Sequence, residues 1–107
     1  MPDIAVIDYG MGNLRSVAKA LAHVAPDRQV VVTSDAEVIR SAHRVVLPGQ
    51  SAMPDCMAGL NESGLRATVL EVASDRPFLG ICLGLQMLFD MSEEGPTLGL
   101  ALLPGRV

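Results

Sequence analysis

Two periods of apolar residues alternate along this chain. Residues 4–7, Ile4-Ala5-Val6-Ile7, are a short continuous apolar run, β-branched at three of its four positions. That is the pattern of a parallel strand buried on both faces. A glycine-bearing turn follows, Asp8-Tyr9-Gly10-Met11-Gly12-Asn13. Leu14, Val17, Ala18, Leu21, Ala22 and Ala25 then recur at helical spacing, and Pro26-Asp27 closes that helix. A second strand is predicted over 29–33. Ser34, followed three residues later by Glu37, reads as a capping box that starts a short helix ending near Ala42 and His43.

The third strand is predicted over 44–47, closed by Pro48-Gly49. A short helix over 51–60 carries Pro54 near its first turn, and a further helix covers 62–73. Pro77 opens a fourth strand that ends at Ile81, and the apolar spacing beyond it predicts a helix over 83–91. Strands alternating with helices in this way imply an α/β fold, a parallel sheet with helices on both faces, in one domain. In such sheets sites form outside the carboxyl ends of the strands. Four loops occupy that edge: 8–13, 33–35, 48–51 and the turn at Cys82. After Met91 the character changes, to a polar turn over 92–96 and an apolar run over 98–104. The chain stops at Gly105-Arg106-Val107, so the sheet is expected to be incomplete at its C-terminus.

The turn at Cys82 carries the sharpest chemical signal. In Gly80-Ile81-Cys82-Leu83-Gly84 the cysteine stands at a strand-to-helix junction with a glycine two residues away on either side. This is the pattern of a nucleophile elbow with cysteine in place of serine. Small flanking residues let neighbouring backbone pass close to the turn. A helix starting there aims N–H groups and a positive dipole end at the sulfur, which favours the thiolate, and the Leu83 N–H is placed to bind an oxyanion. The bland alternative is a small buried hydrophobe. That reading fits Cys56, which has no such context.

Composition narrows the function class. The chain has 107 residues, a net charge of −4, and Tyr9, Phe78 and Phe89 as its aromatics. With no Lys/Arg cluster and no stacking platform, a nucleic-acid partner and an anionic membrane surface are not expected. Two cysteines suggest a reducing compartment, and neither a signal peptide nor a membrane-spanning run is present, so the protein reads as cytoplasmic. No Cys/His spacing suggests a metal site, and no cofactor is expected. Gly10-Met11-Gly12-Asn13 lacks the third glycine of a dinucleotide turn and reads as an ordinary tight turn. His23 and His43 are the only histidines, and neither is placed to reach Cys82. Gln86, one helical turn beyond Cys82, either faces a substrate or bonds backbone. Glu93 and Glu94 are equally open between a solvated turn and a site.

Gly80-Ile81-Cys82-Leu83-Gly84-Leu85-Gln86 resembles the nucleophile motif of the class I (triad) glutamine amidotransferases. Within that family, residues 8–17 (Asp8 through Asn13 to Val17) resemble the opening of one branch, the glutaminase subunit of imidazole glycerol phosphate synthase of histidine biosynthesis. Leu47-Pro48-Gly49, Ser92-Glu93-Glu94-Gly95 and the tail Leu98 to Val107 fit as well. The resemblance covers essentially the whole chain. It implies a flavodoxin-like amidotransferase domain of which residues 1–107 are the N-terminal part. It implies Cys82 as the nucleophile that forms a thioester with glutamine and releases ammonia. Leu83, with backbone near Gly49 and Gln50, would form the oxyanion hole, and Gln86 and Glu94 would hold glutamine. The implied partner is a (β/α)8-barrel cyclase subunit in a heterodimer, with Asn13 and its loop near the interface. Two features depart from the family pattern: Ser51 stands where a second glycine is usual, and the triad's His-Pro-Glu motif is absent from these residues. The 107 residues alone are therefore expected to be inactive. The alternatives are a non-catalytic α/β module with an inert cysteine, or a cysteine hydrolase acting on esters or peptides.

Overall fold

The structure is a computed structural model that describes residues 2–93 and 97–107. Four parallel strands form one sheet: β1 (Ile4–Ile7), β2 (Val30–Thr33), β3 (Arg44–Gly49) and β4 (Phe78–Cys82), in the spatial order β2-β1-β3-β4. β1 lies inside the sheet and all four of its residues are buried, as its unbroken apolar run predicts. Alternation along the strands sorts two layers. Ala5, Ile7, Val45 and Leu47 face α2 (Ala36–Ser41), α3 (Met53–Ser63) and α4 (Arg66–Asp75), where Ile39, Met53, Leu60, Val69 and Val72 complete the main core. Ile4, Val6 and Val46 face the other way, onto Leu14, Val17 and Leu21 of α1 (Leu14–Val24). Helices thus cover both faces, but unequally. α1 has no fully buried residue, and Leu79 of the edge strand β4 is 52% exposed.

The break between α3 and α4 falls at residues 64–65 rather than at 61, and three further elements differ from the sequence pattern. The cap of α2 is Asp35 rather than Ser34: its Oδ1 accepts from Glu37 N–H at 2.9 Å. The Asp35 N–H in turn donates to Thr33 Oγ1 at 3.0 Å. Glu37 therefore makes no capping box and instead meets Arg40. β3 runs on through Pro48-Gly49. A proline is tolerated there because position 48 lies beyond the last residue of β3 that pairs with β1, Val46, so no ladder bond is lost.

The third difference is the elbow helix, α5, which spans only Leu83–Gln86. The apolar residues after it do not extend it. Leu88 and Phe89 close i→i−3 bonds onto Leu85 and Gln86, and the carbonyls of residues 87–89 accept N–H groups from residues 100–103. A two-strand antiparallel ribbon follows, β5 (Met91–Ser92) with β6 (Thr97–Leu98).

Candidate functional site

Cys82 is both the last residue of β4 and the cap of α5, with φ 54 and ψ −123. For an L-residue this is sparsely allowed backbone that costs about 1–3 kcal/mol. The turn is so tight that α5 folds back onto β3 and β4. A Cβ built at Gly80 meets Leu85 Cα at 2.7 Å, and one built at Gly84 meets the Leu47 carbonyl oxygen at 1.9 Å. The two glycines are thus required by close approach of backbone, and they leave the Cys82 residue exposed at the carboxyl edge of the sheet. Cys82→Gly is expected to raise stability by about 1 kcal/mol, because glycine adopts this backbone without strain. Urea unfolding checks this, and a lower midpoint would contradict it.

Facing Cys82 is the loop that leaves β3. Gly49 is the register partner of Cys82. A Cβ at Gly49 would meet Gly84 N at 2.5 Å, so side-chain-free backbone touches side-chain-free backbone. Asn13, Gly49, Gln50, Ser51 and Leu83 share with Cys82 the lining of a cavity of about 320 Å³. The Leu83 N–H opens α5 and has no acceptor within the helix. With one turn, α5 has little macrodipole, so this N–H is what it offers the site. Ser51 takes φ 80, the left-handed region that a serine enters at a cost of about 1–2 kcal/mol. Asn13 caps α1, its Oδ1 accepting from Ser16 N–H at 3.4 Å.

Beneath this loop lie two residues that sequence reasoning did not assign to the site. The Tyr9 hydroxyl donates to the Pro48 carbonyl at 2.6 Å, with Met87 Sδ 3.4 Å away. The Cys56 thiol donates to the Gln50 carbonyl at 3.3 Å. Tyr9 is 4% exposed and Cys56 0%. The one available signal was chemical: a buried tyrosine needs a partner for its hydroxyl.

Burial first, and then the neighbouring Cys56 thiol, push the Tyr9 phenol well above its ordinary value of 10.0. The folded chain holds this proton after the unfolded chain has released it. The stabilisation is therefore intact below about pH 10 and declines as pH rises beyond it. Tyr9 is the one tyrosine and there is no tryptophan, so tyrosinate absorbance reads it alone. We expect that absorbance to appear only together with unfolding. Tyrosinate forming near pH 10 in a folded chain would contradict this.

The remaining candidates are dispersed. Gln86 ends α5, half-buried, and does not line the Cys82 cavity. Glu94 lies outside the described residues. His43 is exposed at the opposite end of β3, about 20 Å from Gly49 at the rise of an extended strand. His23 is exposed in the last turn of α1, about 15 Å along the helix from Asn13. Gly12, at φ 111, packs over Pro48, which a Cβ there would meet at 3.2 Å; the 8–13 turn thus supports the loop. Among the described residues no group of three or more His, Cys, Asp or Glu side chains is placed to hold a metal, and no helix is long and apolar enough to cross a membrane.

A family model described as glutamine amidotransferase class-I matches residues 5–97. Over all 107 residues the chain is 64% identical to imidazole glycerol phosphate synthase subunit HisH of Nitrosospira multiformis and 64% identical to that of Nitrosomonas europaea. It is 63% identical to the HisH subunit of Aromatoleum aromaticum. All 107 residues align in each case with 50% of the relative, so the chain spans about half the length of the curated relatives it matches.

Proposed function

The chain belongs to the class-I glutamine amidotransferase family, and from that premise we propose that it is part of the glutaminase subunit of an imidazole glycerol phosphate synthase. Residues 1–107 form the N-terminal part of a single amidotransferase domain in this reading. The Cys82 thiolate attacks the side-chain amide carbon of glutamine. The carbonyl oxygen becomes an oxyanion, held by the Leu83 N–H and by backbone of the loop at Gly49 and Gln50. The amide nitrogen takes up a proton as the intermediate collapses, so that the C–N bond breaks, a thioester forms and neutral ammonia leaves. Water then attacks the thioester, releasing glutamate and restoring the thiol.

Gln86 and Glu94 hold the glutamine in this proposal, and no cofactor takes part. The ammonia passes to a (β/α)8-barrel cyclase subunit in a heterodimer, with Asn13 near the contact, in the cytoplasm. The proton acceptor that activates Cys82 comes from outside these residues, since His23 and His43 both stand away from the cavity.

The observation that carries this reading is the backbone of Cys82. A φ of 54 and ψ of −123 holds a cysteine on a glycine-flanked turn across a cavity from a second backbone loop. Strain of this kind persists where surrounding structure enforces it, and it clusters at catalytic turns. The test is glutamine hydrolysis by the complete subunit, alone and with the cyclase subunit, against Cys82→Ala. Turnover lost in Cys82→Ala is the expected result. Turnover that survives would overturn the assignment, and a folded complex without turnover would favour a non-catalytic module.

A further inference from the structure

We propose that Tyr9 and Cys56 are positioning residues that hold the loop backbone on either side of the Gly49–Gln50 peptide and so confine that peptide to turning in place before Cys82. The inference rests on the glutaminase reading above and extends it to two buried residues with no place in the chemistry itself. Successive residues of β3 turn their backbone groups to opposite neighbours. Arg44 N–H bonds Asp3 next to β1, and Val45 N–H bonds Pro77 next to β4. By that alternation Pro48 and Gln50 address the β1 side, and Gly49 addresses β4 and Cys82.

Beyond Val46 no β1 residue pairs with β3, so the Pro48 and Gln50 carbonyls have no strand partner on that side. Tyr9, just past the end of β1, takes the first at 2.6 Å, and Cys56, on α3, takes the second at 3.3 Å. Between these two carbonyls lies the peptide that carries the Gln50 N–H. It joins Gly49, which has the widest torsional freedom, to Gln50, and Ser51 at φ 80 follows directly. With both flanks pinned, the freedom left to this peptide is rotation about its own axis, the motion that decides whether it offers an N–H or a carbonyl to an oxyanion. Releasing either pin lets the flanks move as well, and the loop loses its preset orientation.

The test uses the complete subunit bound to the cyclase subunit, with Tyr9→Phe, Cys56→Ala and Cys56→Ser. Tyr9→Phe keeps the ring and deletes the donor. It should lower kcat for glutamine about tenfold and leave KM within about twofold, the signature of an interaction felt in the transition state. Cys56→Ala should lower kcat about fivefold, and Cys56→Ser, which restores a donor, should recover most of it. Tyr9→Phe with Cys56→Ala should lose less than the product of the two, since both hold one loop.

Simple alkylation of Cys82 by iodoacetamide needs no oxyanion hole and should keep the parent rate in every variant. Amide exchange should quicken at 49–51 and stay at the parent rate at 45–47. Unchanged kcat and unchanged exchange would overturn the proposal. So would a joint fall of kcat, KM and Cys82 alkylation, which marks general disruption. If the unaltered complex fails to hydrolyse glutamine, the glutaminase reading falls. Quicker exchange confined to 49–51 would then still uphold the pinning, and parent-like exchange would overturn it.

Discussion

Gly84→Ala is expected to destabilise the protein by about 3 kcal/mol or more, a large share of the roughly 5–15 kcal/mol available to a domain. The reason is contact rather than conformation, since Gly84 is not among the glycines at positive φ. A Cβ at Gly84 would lie 1.9 Å from the Leu47 carbonyl oxygen and 3.1 Å from the Pro48 carbonyl carbon. These are backbone atoms of β3, paired there with β4, and they cannot swing away as the end of a side chain would. Relief requires lifting α5 off the sheet, which also moves Cys82.

Gly64→Ala is the natural contrast. Gly64 sits at φ 75 after α3, and a Cβ there meets nothing within 4 Å. Its substitution should cost only about 1 kcal/mol, from the left-handed backbone alone. Urea unfolding of both variants separates the two mechanisms, with lower midpoints at unchanged slope. Gly84→Ala within about 1 kcal/mol of the parent would mean that α5 does not rest on β3 as described.

The second large effect is on chemistry. Cys82→Ala should reduce glutamine turnover by about 10⁴-fold or more in the complete, partner-bound subunit, the scale seen when a covalent nucleophile is removed. Its stability should stay close to the parent's. Glutamine should still bind, because its recognition does not depend on the sulfur in this account. A measured loss below about tenfold would remove Cys82 from the covalent role. Stability and activity thus separate at two neighbouring positions. Position 84 is occupied by glycine because the fold admits nothing larger. Position 82 holds a non-glycine in strained backbone, and the sulfur is what that strain retains.

What could be read from the sequence follows from how local each feature is. β1 was legible because four apolar residues between polar ends admit few other environments, and β1 is buried on both faces. The Cys82 turn was legible because glycines at fixed offsets from a junction report a steric need of the chain around it. α5 was misjudged for the opposite reason. Residues 87–89 continue a helical apolar pattern, but their carbonyls are taken by residues 100–103, a tertiary competition that spacing along the chain does not record. Ser34 and Asp35 are both good caps, and geometry chose the one whose carboxylate reaches Glu37 N–H. Tyr9 and Cys56 were hidden because their meaning depends on the register that brings the 48–51 loop above them. The hydroxyl of Tyr9 reaches across 39 residues to Pro48.

The most direct test is a glutamine-mimicking electrophile applied to the complete subunit in its complex, with the modified peptide identified by mass spectrometry. The predicted result is modification of Cys82 that glutamine prevents, with Cys56, buried beneath the loop, left untouched. Equal modification of both cysteines, or modification of Cys82 that glutamine does not slow, would contradict the claim that this turn is a glutamine-binding nucleophile.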